Sequence, residues 1–216
     1  MTAPASGERR RVPLIGVAGG IASGKSLVTE QLEAHGAAVI VADQTAHEVL
    51  RLAEVKLAAR QRWGDDIFGP DGEIDRSLLG KIVFAPTSQG PVELEYLEQL
   101  VHPRVRQIIH HQIEELARQP QTQAIVLDVP LLFESGWDRS CDTIVFVDAP
   151  REVRVSRAAE RGWTAEEFDR REATQDSISS KRERSSVVID NSRTKQSTQA
   201  QVDRFWQSLP GIAAAT

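Results

Sequence analysis

Five short runs along the chain are apolar almost without interruption: residues 14–18, 37–41, 124–129, 143–148 and 187–190. None alternates apolar with polar, so each reads as a strand buried on both faces. The segments between them carry helical periodicity. Leu27, Val28 and Leu32 form one face, and a helix is expected over about residues 44–62, with Asp43 placed to cap it. From residue 75 to about 118 the pattern is helical, with one stripe of Leu94, Leu97, Leu100 and Val101. A second stripe holds Val105, Ile108, Ile109, Ile113 and Leu116, and Pro103 suits the first turn of its helix. A last amphipathic helix carries Val202, Phe205 and Trp206. Strands alternating with helices predict an α/β fold built on a five-stranded parallel sheet.

Between the first strand and the first helix stands Gly19-Gly20-Ile21-Ala22-Ser23-Gly24-Lys25-Ser26, which fits G-x-x-x-x-G-K-[ST] at every fixed position. Strand, glycine loop and helix in that order are the context a phosphate-binding loop requires. Gly20, Ile21, Ala22, Ser23, Gly24, Lys25, Ser26 and Leu27 are the residues expected around a triphosphate. Backbone N–H groups and the helix dipole would face the phosphates, Lys25 would meet the β/γ oxygens, and Ser26 would ligate Mg²⁺. Ligands on such sheets sit at the carboxyl ends of the strands. That rule puts the loop, Asp43 and Asp128 on one rim.

Two helical excursions, residues 63–118 and 150–184, interrupt a core made of residues 12–62, 119–149 and 185–208. The first is expected to wall a substrate and the second to act as a lid, the build of a small kinase that excludes water during phosphoryl transfer. Residues 1–11 and 209–216 are expected to be a loose leader and tail. Arg9-Arg10-Arg11 ahead of an apolar stretch looks like a signal peptide, but that stretch is the strand feeding the loop.

Charge and composition narrow the reading. The 216 residues carry a formal charge of −5, which gives no reason to expect nucleic acid as partner. No run approaches the roughly 18 apolar residues of a membrane span. The lone cysteine, Cys141, excludes an internal disulfide and suits a reducing, cytoplasmic setting. No obligate protein partner is evident.

Within the second excursion the basic residues cluster. Arg151, Arg154, Arg157 and Arg161 are spaced to share a helix face, and Arg157 and Arg161 are the first candidates to stabilise a migrating phosphoryl group. Asp43 is the candidate general base. Asp128 is the candidate carboxylate for Mg²⁺, through water. His102, ahead of Pro103 at an expected helix start, could cap or touch substrate. Trp63, Trp137 and Trp163 are read as packing residues.

The residues now resemble the dephospho-coenzyme A kinase family over nearly the whole chain. Beyond the loop, the marks are Val41-Ala42-Asp43, Asp71-Gly72 with Asp75-Arg76 and Val83-Phe84, and Val101-His102-Pro103. Further on come Asp128-Val129-Pro130-Leu131-Leu132-Phe133-Glu134, Ala173-Thr174-Gln175 and Val188-Ile189-Asp190-Asn191. The resemblance implies a P-loop NTPase core, a coenzyme A-binding helical insertion at 63–118 and an arginine-bearing lid at 150–184. It implies transfer of the ATP γ-phosphate, with Mg²⁺, to the ribose 3′-hydroxyl of dephospho-coenzyme A. Leu132, Phe133 and Glu134 would border the acceptor, and Gln175 and Lys181 would belong to the lid. The chain departs from the family pattern at Ala22, where glycine is usual and alanine is tolerable if its φ is negative, and at His47, where arginine is usual.

Two other readings stand beside this one. A nucleoside-monophosphate or other small-metabolite kinase would use the same core. A GTP-binding switch would need an Asn-Lys-x-Asp signature, which is missing.

Overall fold

A computed structural model describes residues 12–210, which divide into two compact units. The leader expected at 1–11 and residues 211–216 of the expected tail lie outside the described residues.

The first unit comprises residues up to Ile40 and from Ile113 onward. It holds β1 (Leu14–Gly19), α1 (Lys25–Ala34) and β2 (Ala37–Val41), whose last residue opens the other unit. Later come β3 (Ala124–Asp128), β4 (Thr143–Asp148) and β5 (Val187–Asp190). The sheet order is β2-β3-β1-β4-β5, and β1 pairs in parallel with both β3 and β4. All five expected strands are present. Every residue of β1 is buried, as expected for the central strand. The order reverses beside β1, which makes its carboxyl end the crevice where such sheets take ligands. Ile15, Val17, Val126, Val145 and Val147 pack with Val28 and Leu32 of α1. The closing helix, Lys195–Ser208, adds Val202, Phe205 and Trp206 to the same core. Leu209, placed in the loose tail by sequence, is also part of it and 6% exposed.

The charged stretch between β4 and β5 folds as three helices, Arg151–Ala159, Ala165–Glu172 and Ile178–Glu183. The Thr164 hydroxyl caps the second, accepting from the N–H of Glu167 at 3.2 Å. Its Phe168 is fully buried against Ala158 and Ala22, so these helices are seated on the phosphate loop itself.

The second unit spans Val41–Gln112 and begins well before the expected boundary at 63. It contains α2 (Ala42–Val49), α3 (Ala53–Trp63), α4 (Arg76–Val83) and most of α5 (Gly90–Arg118). The single helix expected over 44–62 is two, because Leu52 is extended at ψ 138°. The break lets Leu50 pack on the cluster of Ala59, Ile67, Leu79 and Val83, and packing overrides local propensity. The same cluster explains the earlier boundary, since α3 shares its core with α4.

In contrast, α5 runs unbroken through Pro103, where two helices were expected. Proline cannot donate to the carbonyl one turn back. In the adjoining turn the Arg104 guanidinium donates to the Leu100 carbonyl at 2.8 Å. Glu93 gathers this unit's polar contacts. It accepts two hydrogen bonds from Arg62 (2.8 and 2.9 Å), one from the Trp63 indole (2.8 Å) and one from Gln89 (2.6 Å).

Candidate active site

The phosphate loop leaves β1 at Gly19 and enters α1 at Lys25. Gly24 precedes the helix in left-handed backbone (φ 96°, ψ 30°), and no side chain caps it. The first-turn N–H groups therefore face outward for an anionic acceptor. A side chain at Gly24 would be both strained and blocked, since its Cβ would stand 2.0 Å from Asn191 Nδ2. Ser26 is exposed in that first turn. Ala22 does not meet the condition of negative φ under which alanine is easily tolerated there: its φ is 55°. The loop's turn demands left-handed backbone there, which costs a non-glycine residue about 1–2 kcal/mol. Its methyl packs beside Ala158 and Phe168.

A set of hydrogen bonds grips the Ser23 carbonyl. Arg157 donates to it at 3.1 Å and Asn191 Nδ2 at 2.8 Å. Arg157 also donates to the Asn191 carbonyl at 2.8 Å, while the Thr198 hydroxyl donates to Asn191 Oδ1 at 2.8 Å. Asn191 and Thr198 are both buried. The guanidinium of Arg157, expected at the transferring phosphoryl, is thus committed to backbone carbonyls. Sequence reasoning quoted Asn191 only within the Val188-Ile189-Asp190-Asn191 mark and did not name it as a site residue.

Arg161 does not share a helix face with Arg151, Arg154 and Arg157, because that helix ends at Ala159. It is exposed and makes no ion pair among the described residues. Arg154 is buried beneath the loop, bonded to the Ala149 carbonyl at 3.1 Å and to Glu172.

Lys25 is the electrostatic centre. Burial lowers its pKa from the ordinary lysine value, and the Lys181 and Arg161 cations push the same way. The carboxylates of Asp128 and Glu134 oppose them. Asp128 ends β3, in register with Val17 of β1. Glu134, Gln175 and Lys181 are brought together: the buried Lys181 ammonium lies 2.9 Å from both Glu134 Oε1 and Gln175 Oε1. Burial pushes the Glu134 carboxyl up, yet the Lys181 bond and backbone N–H groups hold it below its ordinary value. Leu132 and Phe133, expected beside the acceptor, are 2% and 5% exposed. Leu132 packs against Gly16 behind β1, and Phe133 lies under the Arg184 guanidinium at 4.3 Å. Neither presents a free apolar surface.

Two expected residues belong to the second unit. Asp43 follows directly on β2, exposed in the first turn of α2. It does not cap that helix, because Val41 holds the cap position. A carboxylate there is favoured by the helix dipole. His102 is exposed within α5, far from either end, and cannot cap it.

Among the described residues no group of three or more His, Cys, Asp or Glu could hold a metal, and no helix is long and apolar enough to cross a membrane. Comparison with known proteins agrees with the loop and the sheet. The sequence model of the dephospho-CoA kinase family matches residues 13–197. A dephospho-CoA kinase of Symbiobacterium thermophilum is 41% identical over 92% of this chain and 82% of its own length. One from Geobacillus kaustophilus is 40% identical over 90% and 97%. The crystal structure of TT1252 from Thermus thermophilus superimposes with TM-score 0.77 at 31% identity, covering 94% of this chain and all of that one. The chain belongs to the dephospho-CoA kinase family, which phosphorylates dephospho-CoA with ATP in the last step of coenzyme A synthesis.

Proposed function

We propose that this chain transfers the γ-phosphate of ATP to the ribose 3′-hydroxyl of dephospho-CoA, with the residues above in stated roles. The observation that carries the reading is Lys25. It is a half-buried ammonium at the mouth of an uncapped helix, near the buried Lys181 and near Arg161, which makes no ion pair among the described residues. Such a concentration of positive charge suits a triphosphate. The 3′-oxygen attacks the γ-phosphorus, the bond to the β-phosphate oxygen breaks, ADP leaves, and Asp43 takes the hydroxyl proton. Arg161 has the free guanidinium for charge on the transferring group. Arg157 and Asn191 hold the loop that grips the nucleotide. His102, Glu134, Gln175 and Lys181 remain candidate acceptor contacts.

The donor set fits Mg²⁺. Ser26 offers an exposed hydroxyl and Asp128 a strand-end carboxylate, and magnesium is usually held by one or two such oxygens plus substrate phosphates. Bound there, the ion would neutralise phosphate charge. The single cysteine supports a cytoplasmic enzyme.

A coupled assay over acceptors and nucleotides tests the proposal. Dephospho-CoA with ATP should give turnover far above any nucleoside monophosphate. Equal rates with a monophosphate would favour the nucleoside kinase reading, and preference for GTP binding without turnover would favour a switch.

A further inference from the structure

The second unit contains a cavity of about 270 Å³ that none of the roles above uses. His47, Leu50, Arg51, Asp71, Glu73, Ile74 and Arg76 line it. Its walls are the end of α2, the turn ahead of α4 and the first residue of α4. The Phe68–Ile74 bridge and the bond from Asp75 N–H to the Ile67 carbonyl at 2.8 Å fix that turn. The site is therefore built on pinned backbone.

Its charges are unevenly satisfied. Lys56 offsets Glu73 through Oε1 at 2.8 Å, and Asp71 Oδ1 accepts from the N–H of Glu73 at 3.1 Å. Arg51 and Arg76 are both exposed, and neither guanidinium has an ion pair or hydrogen-bonded partner among the described residues. Two arginines whose guanidinium groups have no partner among the described residues thus line the cavity together with the Asp71 and Glu73 carboxylates. Glu73 Oε2 is shielded from solvent and has no hydrogen-bond partner. A buried carboxylate oxygen without a donor is costly unless something supplies one.

The placement of α2 suggests the ligand. Asp43, His47 and Arg51 recur every four residues, so they follow one face of α2 into the turn that extends it, at about 6 Å per step. If Asp43 meets the 3′-oxygen, the 5′ substituent of the same ribose falls one step or more along that face, toward Arg51. In dephospho-CoA that substituent is a diphosphate. Arginine forks match phosphate oxygens in geometry and charge.

We propose that this cavity receives the diphosphate of the acceptor, with Arg51 and Arg76 as its counter-charges. Glu73 Oε2 takes a hydrogen bond from an N–H or hydroxyl of the same molecule. The naming of dephospho-CoA rests on the proposed function, whereas the diphosphate chemistry rests on the cavity.

The test is calorimetric titration of the full chain with its phosphate loop filled by ADP and Mg²⁺. Ligands are dephospho-CoA, adenosine and inorganic pyrophosphate. Proteins are the wild type, Arg51→Gln, Arg76→Gln and the double variant, each checked for an unchanged melting temperature. Loss of charged hydrogen bonds should weaken dephospho-CoA about tenfold or more in the double variant and leave adenosine unaffected. Wild-type affinity for dephospho-CoA in the double variant would overturn the proposal. So would an equal loss for adenosine. Arginine-dependent pyrophosphate binding by a chain that does not phosphorylate dephospho-CoA would sink the catalytic reading and leave the cavity assignment standing. Absence of binding by both dephospho-CoA and pyrophosphate would sink the cavity assignment.

Discussion

The side-chain amide of Asn191 donates to the backbone carbonyl of Ser23 at 2.8 Å, across 168 positions of sequence. The contact fixes the phosphate loop from behind. Asn191→Ala would leave the buried Thr198 hydroxyl without its acceptor at Oδ1 and the Ser23 carbonyl with Arg157 alone. The expected cost is about 1–3 kcal/mol of stability, together with a raised KM for ATP. Thermal melting and ATP kinetics check this. An unchanged ATP KM would show that the loop keeps its shape without Asn191.

Arg157 and Arg161 should separate in their kinetics. Arg157→Ala should lower the melting temperature and weaken ATP binding, because its guanidinium holds two carbonyls. Arg161→Ala should leave both nearly intact and reduce kcat, by ~10³ if it stabilises the transferring phosphoryl. Steady-state kinetics with calorimetric ATP affinities distinguishes the two. The reverse pattern would return the transfer role to Arg157.

Asp43→Asn removes the proposed proton acceptor with little change of shape. Turnover should fall by ~10²–10⁴ while ATP affinity holds. Near wild-type turnover would mean that the exposed carboxylate contributes only to the helix dipole.

Glu93 supplies a pH signature for the second unit. The Arg62 hydrogen bonds chiefly, then those from Gln89 and Trp63, hold its carboxyl down at about 2 from an ordinary 4.5. A depressed carboxyl stabilises the fold above its unfolded value and loses that contribution as pH falls toward the folded one. Glu93→Gln should therefore lower the melting temperature at pH 7, and the gap to wild type should narrow between about pH 4.5 and 2. A gap independent of pH would mean that shape, not charge, matters at this position.

The strands and the loop were legible because uninterrupted burial leaves a contiguous apolar run, and because a phosphate cradle tolerates few residues at Gly24 and Lys25. The helical boundaries were less so. No glycine or proline marks the break at Leu52, which comes from packing of Leu50 on residues far along the chain. Pro103 carries a breaker's signal, yet the helix continues through it. The spacing of Arg151 to Arg161 suggested one face, but the helix stops short of the last arginine. Whether an arginine meets a phosphate or a carbonyl depends on partners such as Ser23 and Asn191, and local pattern does not carry that information.

Ala22 is a compromise written into the nucleotide grip. Trimming its methyl would ease the main chain, and a single base change suffices to do so. The same edit would remove a foothold of Phe168 and, with it, part of the anchorage of the arginine-bearing helices. Backbone ease at this position is thus traded against secure seating of the segment proposed to shield the reaction from water.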